Sequence, residues 1–116
     1  MRSEDRAAIS SWLSRHPGSL ARFRVRVNDL GKIARSEWNI KQFRYIKNGD
    51  GLAEIKWKWS DREWRAFGYF DHEDFFLMVM GCTHKESYDP PDCLNTAKRK
   101  MQEAKRGEWG IRNYEP

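Results

Sequence analysis

No stretch of this chain approaches the roughly 20 consecutive apolar residues that a membrane span requires, and no signal-peptide pattern opens it. Cysteine is scarce: only Cys82 and Cys93 occur, without a CxxC pair. No disulfide framework is expected, and Cys82, His84 and Cys93 are too few for a zinc site. These absences point to a soluble protein of the reducing cytoplasm. Also missing are a glycine-rich phosphate loop, a GxSxG elbow, internal repeats and low-complexity tracts.

What is present is charge and aromatic bulk. The 116 residues suit a single domain spanning 1–116. Charged residues make up 34% and 22 Lys and Arg face 17 Asp and Glu, leaving +5. Such a balance favours a polyanionic partner, although basic proteins without one are also common.

Along the chain, "EDRAAISSWLSR" from Glu4 to Arg15 places Ala8, Ile9, Trp12 and Leu13 on one helical face, with Ser3 as its cap and Pro17-Gly18 as its stop. In "SLARFRVRVNDLGKIAR", Leu20, Phe23, Val27 and Leu30 fit a helix and Phe23, Val25 and Val27 fit a strand; the helix covers more residues, Ser19 can cap it, and Gly31 either ends it or weakens its last turn. Residues 36–51 read as a connector whose Trp38, Ile40, Phe43 and Ile46 tuck against the core, closed by Asn-Gly and Asp-Gly turns. The period then changes to two, predicting strands at 52–59, 62–70 and 75–85 linked by "SD" and "DHED". Short links imply an antiparallel meander. Tyr88 to Pro91 breaks it, and "CLNTAKRKMQEAKRG" follows as a helix with Leu94, Ala97, Met101 and Ala104 inward and Gly107 as C-cap. The predicted class is α+β: N-terminal helices packed on a small antiparallel meander, then a C-terminal helix.

The stretch "IKWKWSDREWRAF" carries the chemistry. A two- or four-residue loop after Trp59 sets Lys58 opposite Glu63, Trp57 opposite Trp64 and Lys56 opposite Arg65. Side chains alternate along a strand, so the tryptophans anchor one face and Lys56, Lys58, Glu63 and Arg65 are displayed on the other. Lys56 directly across from Arg65 is a repulsive pair, which an anion held between them would relieve. The competing reading is that Glu54 and Glu63 neutralise the pair on a merely solvated face. The third strand is apolar on both sides, so it is expected to be central. Its end delivers Thr83, His84, Lys85 and Tyr88 near the cationic face. An imidazole with a pKa near ~6.5 can transfer protons at neutral pH, but parity leaves open whether His84 or Lys85 points inward. The run around Lys98, Arg99 and Lys100 reads first as a solvated helix face.

Three segments, "GLAEIKWKW", "REWRAFGYF" and "FLMVMGCTHKESYDPPDCLNTAKRK", resemble the RelE/ParE superfamily of type II toxins, closest to its HigB-like, phage-associated branch. The resemblance implies a RelE-like fold and an endoribonuclease, an mRNA interferase that enters the ribosome and cuts bound mRNA without a metal or other cofactor. A cognate acidic antitoxin would hold it inactive. Carried over by position, the implied catalytic set is Lys56 and Arg65 for phosphate stabilisation, His84 or Lys85 for proton transfer, and Tyr88. The implied RNA contacts are Lys58, Arg62, Lys98 and Arg99, with Trp59 and Tyr69 as stacking surfaces. Glu54 stands where some members carry lysine, and the leading strand that precedes the helical hairpin in the family is not evident. Two rivals accompany this reading: a ParE-like topoisomerase poison, and a non-enzymatic module binding RNA or protein through the same basic face.

Overall fold

Two residues between strands set the register on which the rest of the molecule depends. Ser60 and Asp61 both take left-handed backbone angles, φ 52° and 65°, the geometry that matches a two-residue hairpin loop to the twist of its strands. Lys56 therefore pairs with Arg65, Trp57 with Trp64 and Lys58 with Glu63, as the alternation predicts. The computed structural model describes residues 2–5, 8–72, 75–106 and 110–113, with side chains over 11–70 and 76–106.

In chain order the elements are β1 (Arg2–Asp5), α1 (Ala8–Ser14), α2 (Pro17–Gly31), a single 3-10 turn (Arg35–Glu37), β2 (Phe43–Tyr45), β3 (Ala53–Trp59), β4 (Arg62–His72), β5 (Phe75–His84), β6 (Tyr88–Asp89), α3 (Cys93–Lys105) and β7 (Gly110–Asn113). One sheet runs β2-β3-β4-β5-β1-β7, with β6 also paired to β5. The β2 to β5 portion is an antiparallel meander, so the predicted α+β class holds.

Helices α1 and α2 cover the tryptophan face. Leu13, Phe23 and Leu30 pack there with Ile55, Trp57, Trp64 and Ala66. The ring centroids of Trp12 and Trp64 lie 5.0 Å apart and those of Phe23 and Trp57 4.9 Å, contacts each worth about 0.5–1.5 kcal/mol beyond area burial. Trp57 Nε1 donates to Ser19 Oγ at 2.9 Å, which satisfies a polar atom that would otherwise be stranded in the core. Trp12 lies flat against Gly81, where any Cβ would meet its ring. On the opposite face α3 lays Cys93, Ala97 and Met101 over Phe67, Leu77 and Val79. It covers only part of that face and leaves uncovered the end nearest the 59–62 turn.

Several expectations are corrected. The first helix begins at Ala8, and Ser3 lies in β1 rather than capping it. The leading strand is thus present: β1 runs parallel to β5 and antiparallel to β7. Its four residues, "RSED", carry no apolar alternation, so only its neighbours define it. Ser19 is not a cap but a buried partner of Trp57, and Pro17 opens α2 from within its first turn. The connector contains the short strand β2, and Ile40 is 65% exposed rather than tucked in. Tyr88 and Asp89 do not simply interrupt the sheet; they pair with His84 and Thr83 as β6. Cys82 and Cys93 form a disulfide, with Cα atoms 6.6 Å apart, because α3 begins directly over the end of β5. The side chains of Ala8 and Ile9, expected on the inner helical face, lie outside those described, and the expected C-cap Gly107 lies outside the described residues. Among the described residues no helix is long and apolar enough to cross a membrane.

Candidate functional site

Because side chains alternate along paired strands, the residues left uncovered by α3 follow from register alone. β3 contributes Glu54, Lys56 and Lys58, and β4 contributes Glu63 and Arg65. β5 contributes His84, which pairs with Glu63. Register resolves the parity left open by the sequence: His84 shares the face of Arg65. Lys85 stands at the rim, where its Nζ meets Asp61 Oδ2 at 2.7 Å.

Arg65 is the hub, and its charge is largely used. Its side chain is 9% exposed. Nη1 donates to the Tyr88 hydroxyl at 2.8 Å and to Glu54 Oε1 at 3.3 Å, while Nη2 donates to Glu63 Oε1. Glu54 is fully buried and also binds Arg44 Nη2 at 2.9 Å. The competing expectation of neutralisation by Glu54 and Glu63 therefore describes Arg65 itself. Lys56, half-buried opposite Arg65, stays outside that cluster of bonds.

Electrostatics divides the roles. Burial, then the nearby Arg65 charge, holds the His84 imidazole below the ordinary histidine pKa of 6.5, so it is neutral at pH 7 and able to accept a proton. Burial also lowers the Lys56 ammonium, against the pull of Glu54, and Arg65 lowers it further. Tyr88 is pushed up, by burial first and then by Glu54, so it remains a phenol. Its ring meets that of His84 edge-on at 4.7 Å. The hydrogen bond from Arg65 pulls Glu63 down despite partial burial.

His84, Glu63 and Arg65 border a cleft of about 750 Å³ that Lys58, Trp59, Arg62 and Lys85 also line, while Lys56 lines the neighbouring cavity. Among the described residues, Arg62 and Lys85 are tied at the cleft rim by exposed pairs, Arg62 to Asp89 at 3.8 Å and Lys85 to Asp61 at 2.7 Å. Exposed pairs of this kind contribute little, so an incoming phosphate can replace them. Trp59 also lines the cleft, half-buried, with its other side against Gly18.

The remaining predicted residues are not brought in. Tyr69 is 6% exposed and sits beneath Lys105, whose Nζ is 5.3 Å from the ring. It is buried against the α3 side of the sheet and does not line the His84 cleft. Lys98 and Arg99 lie on α3 outside the cleft, and Arg99 Nε approaches Glu103 at 3.9 Å. The sequence reading missed Arg22 of α2, which lines the cleft from the far side; a signal existed in the i, i+4 pair of Arg22 and Arg26 on the polar side of that helix. Comparison with known proteins finds no family, curated protein or solved structure that matches this chain.

Proposed function

We propose that the chain is a metal-independent endoribonuclease, a toxin of the RelE/ParE kind that cuts ribosome-bound mRNA and is restrained by an acidic antitoxin. One observation carries the reading: His84 shares a cleft with Lys58, Arg62 and Lys85, where burial, then Arg65, lowers its imidazole pKa. In this scheme His84 accepts the proton of a ribose 2′-hydroxyl. The resulting 2′-oxygen attacks the adjacent phosphorus, the bond to the 5′-oxygen breaks, and a 2′,3′-cyclic phosphate forms. Lys85 returns a proton to the departing 5′-oxygen. Charge building on the phosphorus oxygens is met by Lys58 and Arg62, with Lys56 in the adjoining cavity. Arg65 acts indirectly, holding Tyr88 beside His84 and lowering the imidazole pKa.

The test is inducible expression in bacteria of the wild type and of His84→Gln, scoring growth and mapping 5′ ends on translated mRNAs. The expected result is growth arrest with new 5′-hydroxyl ends, both lost in the variant while its melting temperature is retained. Normal growth and intact mRNA from soluble, folded wild type would overturn the proposal. The engagement of Arg65 by Glu54 and Glu63 favours the non-enzymatic module as second reading, which predicts bound but uncut RNA.

A further inference from the structure

A second cavity, of about 460 Å³, opens beside the first where β3 runs past the end of β2. Pairing of β2 with β3 stops at Ile55, with one further bond from Lys56 N to Gln42 O at 2.8 Å. Alternation of strand bonds then directs the backbone of Lys58 toward this open edge. Helix α2 forms the other wall with Arg22, Arg26 and Asp29, and Lys41 projects from the connector. Five cations line the groove, Arg22, Arg26, Lys41, Lys56 and Lys58, against Asp29 and Glu63. Arg26 Nε is shielded from solvent and finds no acceptor among the described residues. Such an unmade bond is costly unless something supplies an oxygen. Arg22, Lys58 and Glu63 line both cavities, so the two form one continuous track.

We infer that this groove binds the sugar–phosphate backbone of single-stranded RNA flanking the scissile phosphate, with Arg26 and Lys41 as its outer phosphate contacts. The inference rests on the nuclease reading for its ligand, but neither residue touches the His84 cleft. The groove's floor is small and mixed, with Val25 57% exposed and Trp57 buried beneath, and it contains no broad apolar surface for a packed helix. Closely spaced cations along an open track fit a chain that carries one negative charge per residue.

The experiment measures anisotropy of a fluorescent 12-nucleotide RNA, 2′-O-methylated throughout so that it cannot be cut, across a salt series. Wild type is compared with Arg26→Gln/Lys41→Gln and with Lys41→Gln alone, which alters an exposed side chain and leaves the fold intact. Each lost phosphate contact on a single strand lowers the slope of log affinity against log salt by about 0.7. The double variant should therefore lose about 1.4, equivalent to about 25-fold weaker binding over the tenfold range from 1 M to 0.1 M salt. The single variant should lose about half the slope change. Unchanged slopes in both variants, with wild type binding RNA, overturn the groove and leave the nuclease reading intact. RNA binding lost in the double variant, alongside intact mRNA in the expression test, supports the groove while the nuclease reading falls. Wild type that ignores the RNA but binds an octaglutamate peptide through Arg26 and Lys41 overturns the inference in favour of an acidic protein segment.

Discussion

Replacing Glu54 with glutamine tests whether the buried carboxylate, rather than general packing, holds the site together. Glu54 is 0% exposed and meets Arg65 at 3.3 Å, Arg44 at 2.9 Å and the Tyr88 hydroxyl at 3.3 Å. At an effective dielectric near 20 the attraction to Arg65 is about 5 kcal/mol, offset by the several kcal/mol lost on taking the carboxylate out of water. Removing one charge of a buried pair costs about 3–5 kcal/mol, because the partner is left uncompensated. Glutamine keeps one acceptor oxygen, which places Glu54→Gln near the lower end. For a domain of this size, about 3 kcal/mol lowers the melting temperature by about 12 °C, readable by circular dichroism. Arg44 is 41% exposed, so Arg44→Ala should cost only about 0–1 kcal/mol. A fall below about 4 °C for Glu54→Gln, or an equal fall for Arg44→Ala, would refute the assignment of Glu54 as the counter-charge that fixes Arg65.

Those three contacts also mark where sequence reasoning ran out. The hairpin register was readable because a two-residue link leaves one pairing, and the cationic face followed from period-two alternation. Which cations are free was not readable. Charge alone makes Lys56 and Arg65 equivalent, and the difference lies in Tyr88, brought to Arg65 from 23 residues away by β6. Tyr69 illustrates the same limit. It alternates correctly onto the site face, yet α3 lies over it, and coverage by a distant helix leaves no local trace. Strand β1 was invisible for a related reason: "RSED" has no pattern of its own, and its partners β5 and β7 lie far along the chain. The disulfide runs against the expectation of free thiols. Two cysteines give no spacing rule, and only the approach of α3 to β5 brings them together.

Two further tests address the segment 82–93 that carries the proposed base at the end of β5. In an NMR titration the His84 imidazole should show its midpoint below the ordinary 6.5. The unfolded chain then takes up the proton first, so the contribution of His84 to stability is present above about pH 6.5 and is lost as pH falls through the folded-state value. A midpoint at or above 6.5 would remove the argument that burial and Arg65 keep this ring ready to accept a proton. The second test reduces the bond between Cys82 and Cys93, which are 11 residues apart and both buried. Closing a loop of that length restricts the unfolded chain by about 3 kcal/mol, so reduction should lower the melting temperature by about 12 °C. Cys82→Ala/Cys93→Ala should reproduce that loss and make the protein insensitive to reductant. The closed segment contains His84, Lys85 and Tyr88, and Tyr88 meets Arg65 through a 2.8 Å hydrogen bond and a ring contact 5.1 Å from the guanidinium. Opening it should therefore broaden the His84 and Tyr88 resonances before those of Trp57 and Trp64, which the other face of the sheet holds. Unchanged melting after titration has confirmed two free thiols would show that packing of α3 on the sheet, not the bond, keeps that loop in place.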